Sequence, residues 1–112
     1  MTMEKKYRLL EDDTITVSGR TLYRIESLSD FANVKKGDKG GYVEKEDNLS
    51  HNGNCWVYNK ALVFDDAFVC GDAHVYGKAR VLGNARVSGD AHVLGNAWVS
   101  GDCKITDGMI NG

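Results

Sequence analysis

The 112-residue sequence predicts an all-β solenoid, a stack of short strands joined by sharp corners. Three observations carry that prediction. Aligned in sixes, residues 53–106 read GNCWVY, NKALVF, DDAFVC, GDAHVY, GKARVL, GNARVS, GDAHVL, GNAWVS and GDCKIT. Within these nine hexads the third place is Ala in seven and Cys in two (Cys55, Cys103), and the fifth is Val in eight and Ile in one. Residues two apart share one side of a strand, so the small and the branched side chain point the same way. The first place is Gly in seven, with Asn59 and Asp65 in the others, and the second is always Asn, Asp or Lys. Such residues supply the positive φ that a corner needs. Strict self-similarity of this kind marks a chain in which each repeat touches only its neighbours. A helix is excluded, because a glycine in seven of the nine hexads would cost about 1 kcal/mol each time.

The elements follow in order. "KKYRLLEDDTITVSGRTLYRIES" reads as two or three short strands, with turn signals at Glu11–Asp13 and Ser18–Arg20. We read residues 1–40 as a β-hairpin cap region over the N-terminal end of the solenoid, closing an exposed sheet edge. Ser27–Asn33 is compatible with a short helical turn, and glycines 37, 40 and 41 read as turn residues. Val43 and Leu49 lie twelve and six residues before Cys55 and fit the small-residue register. The repeat region, 41–112, therefore opens with an irregular coil near Gly41. At the far end Met109 and Ile110 either plug the coil or leave it for a second chain to stack on.

The nine hexads resemble the hexapeptide repeat of left-handed parallel β-helices, and the likeness covers about half the chain. It implies a triangular coil of three hexads, so that residues eighteen apart stack at roughly the 4.8 Å inter-strand spacing. About three to four coils result. Val57, Val75 and Val93 then line one inner wall, Val63, Val81 and Val99 the second, and Val69, Val87 and Ile105 the third. Outside, wall one shows Trp56, Tyr58, His74, Tyr76, His92 and Leu94. Wall two shows Leu62, Phe64, Arg80, Leu82, Trp98 and Ser100. Wall three shows Phe68, Cys70, Arg86, Ser88, Lys104 and Thr106. Walls one and two are too apolar for a lone solvated surface. The candidate interface residues are therefore Trp56, Tyr58, His74, Tyr76, His92 and Leu94 with Leu62, Phe64, Arg80, Leu82 and Trp98, to be covered by the N-terminal segment, a second copy or a target. The segment "GGYVEKEDNLSHNGNCWVY" (Gly40–Tyr58) also resembles the entry segment of a group of bacterial and prophage proteins, in which a "TLYRI"-like strand (Thr21–Ile25) comes first. That likeness implies a phage or prophage origin.

The charge is −2 and evenly spread, with nine Lys/Arg against ten Asp/Glu in residues 1–50 and five against six in 51–112. Such a balance argues against nucleic acid and anionic membranes as partners. The N-terminus has no apolar run of the secretory kind, nor does any stretch suit a membrane span. Cys55, Cys70 and Cys103 form no CxxC and suit free thiols in a reducing compartment, so the expected location is cytoplasmic.

Chemistry is sparse. Cys55 and Cys103 read as core substitutes for Ala, and Cys70 as a solvent-facing thiol without a neighbouring base. Asp66 and Asp72 stand where Asn and Lys serve equally, so turn duty explains them. No GxxxxGK[ST], GxSxG or HExxH occurs. Among hexapeptide proteins, acyltransferases place a catalytic His near a loop that protrudes from the coil and bind the acyl carrier between subunits; no loop interrupts Gly53–Thr106. The γ-class carbonic anhydrases hold zinc with three His across a trimer interface. Here His74 and His92 stand one turn apart in one column and are weak metal candidates, whereas His51 lies in the entry coil. Two stacked surface imidazoles are the plainer reading. On residues alone, then, the chain reads as a non-catalytic, protein-binding module that self-associates as a dimer or trimer and needs no cofactor. One alternative is a phage-encoded inhibitor of a host defence nuclease, of the anti-CRISPR kind, whose partner is a host protein. Another is an enzyme like the hexapeptide acyltransferases or the γ-carbonic anhydrases.

Overall fold

The computed structural model describes residues 5–111 and is a left-handed parallel β-helix of about four turns. Two long strands, β1 (Tyr7–Val17) and β2 (Arg20–Ser27), form an antiparallel hairpin. Ser18 and Gly19 turn it with φ of 52° and 77°, the pair of left-handed residues that matches the twist of a two-residue hairpin loop. The turn signal at Glu11–Asp13 proves to be a bulge inside β1, where the register slips between Leu10 and Thr14. Extra residues in one strand are absorbed that way without breaking the ladder. No helical turn forms over residues 27–33; a short Phe31–Val34 bridge closes that stretch.

The hairpin joins the solenoid through β3 (Lys39–Val43), which pairs antiparallel with β2 and parallel with β5 (Leu62–Val63). The division between residues 1–40 and 41–112 passes through that strand. Gly40 and Gly41 are required there: a Cβ on either would run into the carbonyl oxygen of Val57 or Ala61. A single turn of 3-10 helix (Glu46–Asn48) follows. Short strands then repeat: β4 (Trp56–Val57), β5, β6 (Phe68–Val69), β7 (His74–Val75), β8 (Arg80–Val81), β9 (Arg86–Val87), β10 (His92–Leu94), β11 (Trp98–Val99) and β12 (Lys104–Ile105). They stack as expected into three walls. Wall one is β4-β7-β10, wall two is β5-β8-β11 and wall three is β6-β9-β12. Every valine of the fifth place is 3 % exposed or less, and the alanines beside them are equally enclosed. The bore is thus dry and narrow, the environment in which Ala and Val fill space without unpaired polar atoms.

Two departures from a six-residue beat frame the coils. Val43 pairs with Val63 and Leu49 with Val69, each pair twenty residues apart. Both residues therefore hold the large, fifth-place columns, not the small-residue places assigned from spacing. Two extra residues between Leu49 and Val57 cause the difference. Buried Asn48 closes this coil. Its Oδ1 accepts the N–H groups of Glu44 (3.0 Å) and Lys45 (2.9 Å), and its Nδ2 donates to the carbonyls of Asp65 (3.2 Å) and Ala67 (2.9 Å). At the other end β13 (Met109–Asn111) pairs with β10, Ile110 opposite Val93. Met109 and Ile110 thus begin a further rung of wall one, with Met109 67 % exposed, and do not plug the bore.

Candidate functional site

The hairpin decides which outward side chains remain available. Trp56, the first residue of wall one, is buried beneath Tyr7 and Phe31, whose rings meet it edge-on at 6.2 Å and 5.2 Å. Leu62 and Phe64 are buried with Leu22 and packed by Ile15, Val17, Tyr42 and Leu82. These three interface candidates are therefore covered by the chain itself: Tyr7 and the loop after β2 close over Trp56 on wall one, and β1, β2 and β3 bring Ile15, Val17, Leu22 and Tyr42 against Leu62 and Phe64 on wall two. Arg80 stays half-buried with its guanidinium 5.0 Å from the Trp98 ring, and Trp98 is 64 % exposed.

Beneath the hairpin the N-terminal end of the bore holds a polar cluster. Buried Lys6 donates from Nζ to the carbonyls of Cys55 (2.7 Å) and Gly53 (3.2 Å) and lies 3.4 Å from the Cys55 Sγ. Burial pulls its pKa down and pushes the Cys55 thiol up; Cys55 is thus held as the thiol and not the nucleophilic thiolate, while Lys6 is enclosed and tied to backbone carbonyls. Tyr7 donates its hydroxyl to the carbonyls of Glu46 (2.8 Å) and Leu49 (2.6 Å). His51 is occupied on both nitrogens: Nδ1 accepts the Lys6 N–H at 3.0 Å and Nε2 faces the Glu46 carboxylate at 3.0 Å. It is thereby kept from the other two histidines. The cluster is scaffolding, and apart from Cys55 and His51 the sequence reading passed over it, since nothing in the hexads reports what the cap inserts.

Wall one carries the remaining constellation. His74 and His92 stand on adjacent rungs, their ring centroids 5.3 Å apart. Tyr58 lies 5.3 Å from the His74 ring and 5.7 Å from the Tyr76 ring. The Tyr76 hydroxyl is 3.2 Å from His92 Nδ1. With Asn33 and Asn59 these residues line an open groove of 380 Å³. Burial, seconded by the neighbouring His92, lowers the His74 pKa, and a backbone contact at Asn54 opposes the shift. His74 is accordingly a neutral imidazole at neutral pH, with a lone pair available to take a proton. Leu94 lies half-buried on the next rung down. The spacing of eighteen revealed the histidine and tyrosine columns; Asn33 gave no signal, because only the folded loop after β2 brings it to the wall.

Among the described residues no group of three or more His, Cys, Asp or Glu is placed to hold a metal ion. Cys103, read as a core residue, is exposed because it sits in the last full coil, with little chain below to cover it. Among the described residues no helix is long and apolar enough to cross a membrane.

Comparison with known proteins adds one finding. The chain is 35 % identical over 71 residues to a protein of Escherichia coli (strain K12) named "uncharacterized acetyltransferase YdcK". The match takes in 56 % of this chain and spans 22 % of the relative's length. No family model matches. The expectation of a non-enzyme is corrected by this finding: the relative's name points toward a possible enzyme. The fold agrees with a hexapeptide-repeat relative, and neither a phage origin nor inhibition of a host nuclease draws support from it.

Proposed function

We propose that this chain is, or belongs to, a hexapeptide-repeat acyltransferase, and that the groove on wall one is where an acyl group passes from a thioester donor to a hydroxyl or amine. The observation that carries the reading is the His74–His92 pair: two imidazoles on adjacent rungs of one open groove, one of them held neutral. Acyl transfer needs a group that accepts the acceptor's proton as its oxygen or nitrogen attacks the thioester carbonyl, and a neutral imidazole is suited to that at neutral pH. The proton then passes to the departing thiolate, so the acyl ester or amide and a free thiol are the products. His74 takes the base role. Tyr76 orients His92 at its side, and the amides of Asn33 and Asn59 are donors of the type that stabilise an oxyanion. The relative named an acetyltransferase supports the class of reaction.

The test is to incubate the protein with acetyl-coenzyme A and a panel of hydroxyl and amine acceptors, following acetylated product by mass and free coenzyme A by chromatography. Thiol dyes are unsuitable, because Cys103 is exposed. Turnover is expected, falling by about 100-fold or more in His74→Ala. No transfer to any acceptor, or transfer indifferent to both His74→Ala and His92→Ala, removes the groove from the chemistry.

A further inference from the structure

We infer that wall one is also a pairing face, on which two copies of this chain associate with their coil axes parallel, related by a two-fold axis that runs along the coils. The evidence is the sign of charge at the two corners bordering this wall. The second residue of each hexad stands at a corner, and residues eighteen apart share a corner column. The corner entering wall one carries Asn54, Asp72 and Asp90; the corner leaving it carries Lys60, Lys78 and Asn96. All six are exposed. Among the described residues, none of these four charged side chains has a salt-bridge partner within the chain, although Arg20, Lys45, Glu26 and Glu44 all do. One edge of the wall is thus acidic and the other basic, both lacking an ion-pair partner, although Asp72 Oδ1 accepts the Asn54 N–H at 3.3 Å, and between them run the half-buried Tyr58, His74, Tyr76, His92 and Leu94.

That pattern is self-complementary in one orientation only. When two such walls meet about a two-fold axis parallel to the coils, the left edge of one faces the right edge of the other at the same height. Lys78 then meets Asp72 of the second copy, twice by symmetry, while Lys60 meets Asn54 and Asp90 meets Asn96. No like charges oppose. Turning one copy end over end instead sets lysine against lysine and aspartate against aspartate, a juxtaposition that penalises the wrong arrangement. The loop that carries Phe31 covers Trp56 at the N-terminal end of the wall, so the contact centres on the rungs of β7 and β10, level with the Lys78–Asp72 pairs. A single wall is a small face. The association is therefore of the weak class, in about the micromolar range. Pairing closes the groove on wall one, so the monomer is the form open to substrate; the association is read without any activity, and its failure leaves the acyl-transfer reading standing, and the reverse.

The test is sedimentation velocity over a concentration series up to about 1 mM, on the full chain and on Lys78→Asp, Asp72→Lys and the double exchange. Asn, Asp and Lys all occur at this hexad place, so the substitutions suit the corner, and circular dichroism checks that each variant keeps the fold. Wild type is expected to dimerise reversibly. Each single change replaces two attractive pairs by two repulsive ones and weakens the dimer by about tenfold or more. The double exchange recreates both pairs with their signs swapped and restores the constant to within about fivefold. A wild-type chain that stays monomeric throughout overturns the proposal, as do single changes without effect or a double exchange as weak as the singles.

Discussion

His74 shows how one side chain's surroundings set a property of the molecule. Its imidazole is half-buried against Tyr58 and His92, and desolvation disfavours the charged form, with the second imidazole adding repulsion. The folded pKa lies below the ordinary value of 6.5, so in the window just below that value the unfolded chain binds more protons than the folded one. Stability contributed by this group is complete above that value and is lost as the pH falls through the folded pKa. Melting temperature is therefore expected to drop between about pH 7.5 and about pH 5.5. His74→Asn, which keeps a polar side chain that does not titrate there, is expected to shrink the drop; an unchanged profile in that variant would assign the pH dependence to other groups. On the proposal that His74 acts as a base, acyl transfer is expected to fail over the same acid range.

At the scale of one strand and its corner, the first hexad place obeys a rule stricter than its composition. All nine first places have positive φ, including Asn59 at 59° and Asp65 at 62°. Conformation alone therefore does not demand glycine, since Asn and Asp reach this region at modest cost. At Gly83 crowding adds a second cost. A Cβ on Gly83 would come within 2.9 Å of the Gly101 N, whereas one on Gly101, at a φ of 67°, meets nothing. Gly101→Ala should thus cost only the conformational strain, about 1–2 kcal/mol, and Gly83→Ala clearly more, because backbone on the next coil has to move. Chemical denaturation of the two variants measures the difference; equal costs would show that the coils yield freely. This contrast also explains what the sequence made legible. Columns, corners and the dry bore follow from a beat of six, and each was readable because every hexad repeats the same steric problem. The entry coil was not. Two residues inserted between Leu49 and Val57 move Val43 and Leu49 from small places to large ones, and spacing counted back from Cys55 has no means of registering an insertion. The histidine columns were legible for the same reason as the valines, while Asn33 and Lys6 reach their positions through the hairpin, which carries no period.

For the whole molecule the hairpin and the coils share one hydrophobic interior. Tyr7, Ile25 and Val34 belong to the same buried cluster as the valines of the bore, and Leu22 packs on Leu62 and Phe64 from outside. The six-stranded sheet β1-β2-β3-β5-β8-β11 runs without a break from the hairpin edge to the last coil. A solenoid this short has few internal rungs, and its first rung is the irregular one, so the N-terminal strands supply the template on which regular coils stack. We therefore expect residues 41–112 alone not to fold. Removing the hairpin would strip β3 of its antiparallel partner, expose Trp56, Leu62 and Phe64 together, and leave the carbonyls of Cys55 and Leu49 without the Lys6 and Tyr7 donors. Buried acceptors left unpaired cost about 1–3 kcal/mol each, against a total stability of only about 5–15 kcal/mol for a domain. Circular dichroism and thermal melting of the fragment beside the full chain decide the matter. Loss of the β signal and of any cooperative transition is the expected result. A fragment that melts cooperatively at the temperature of the full chain would make the hairpin an appendage, and would mean that the stacked valines and their ladder of hydrogen bonds suffice by themselves.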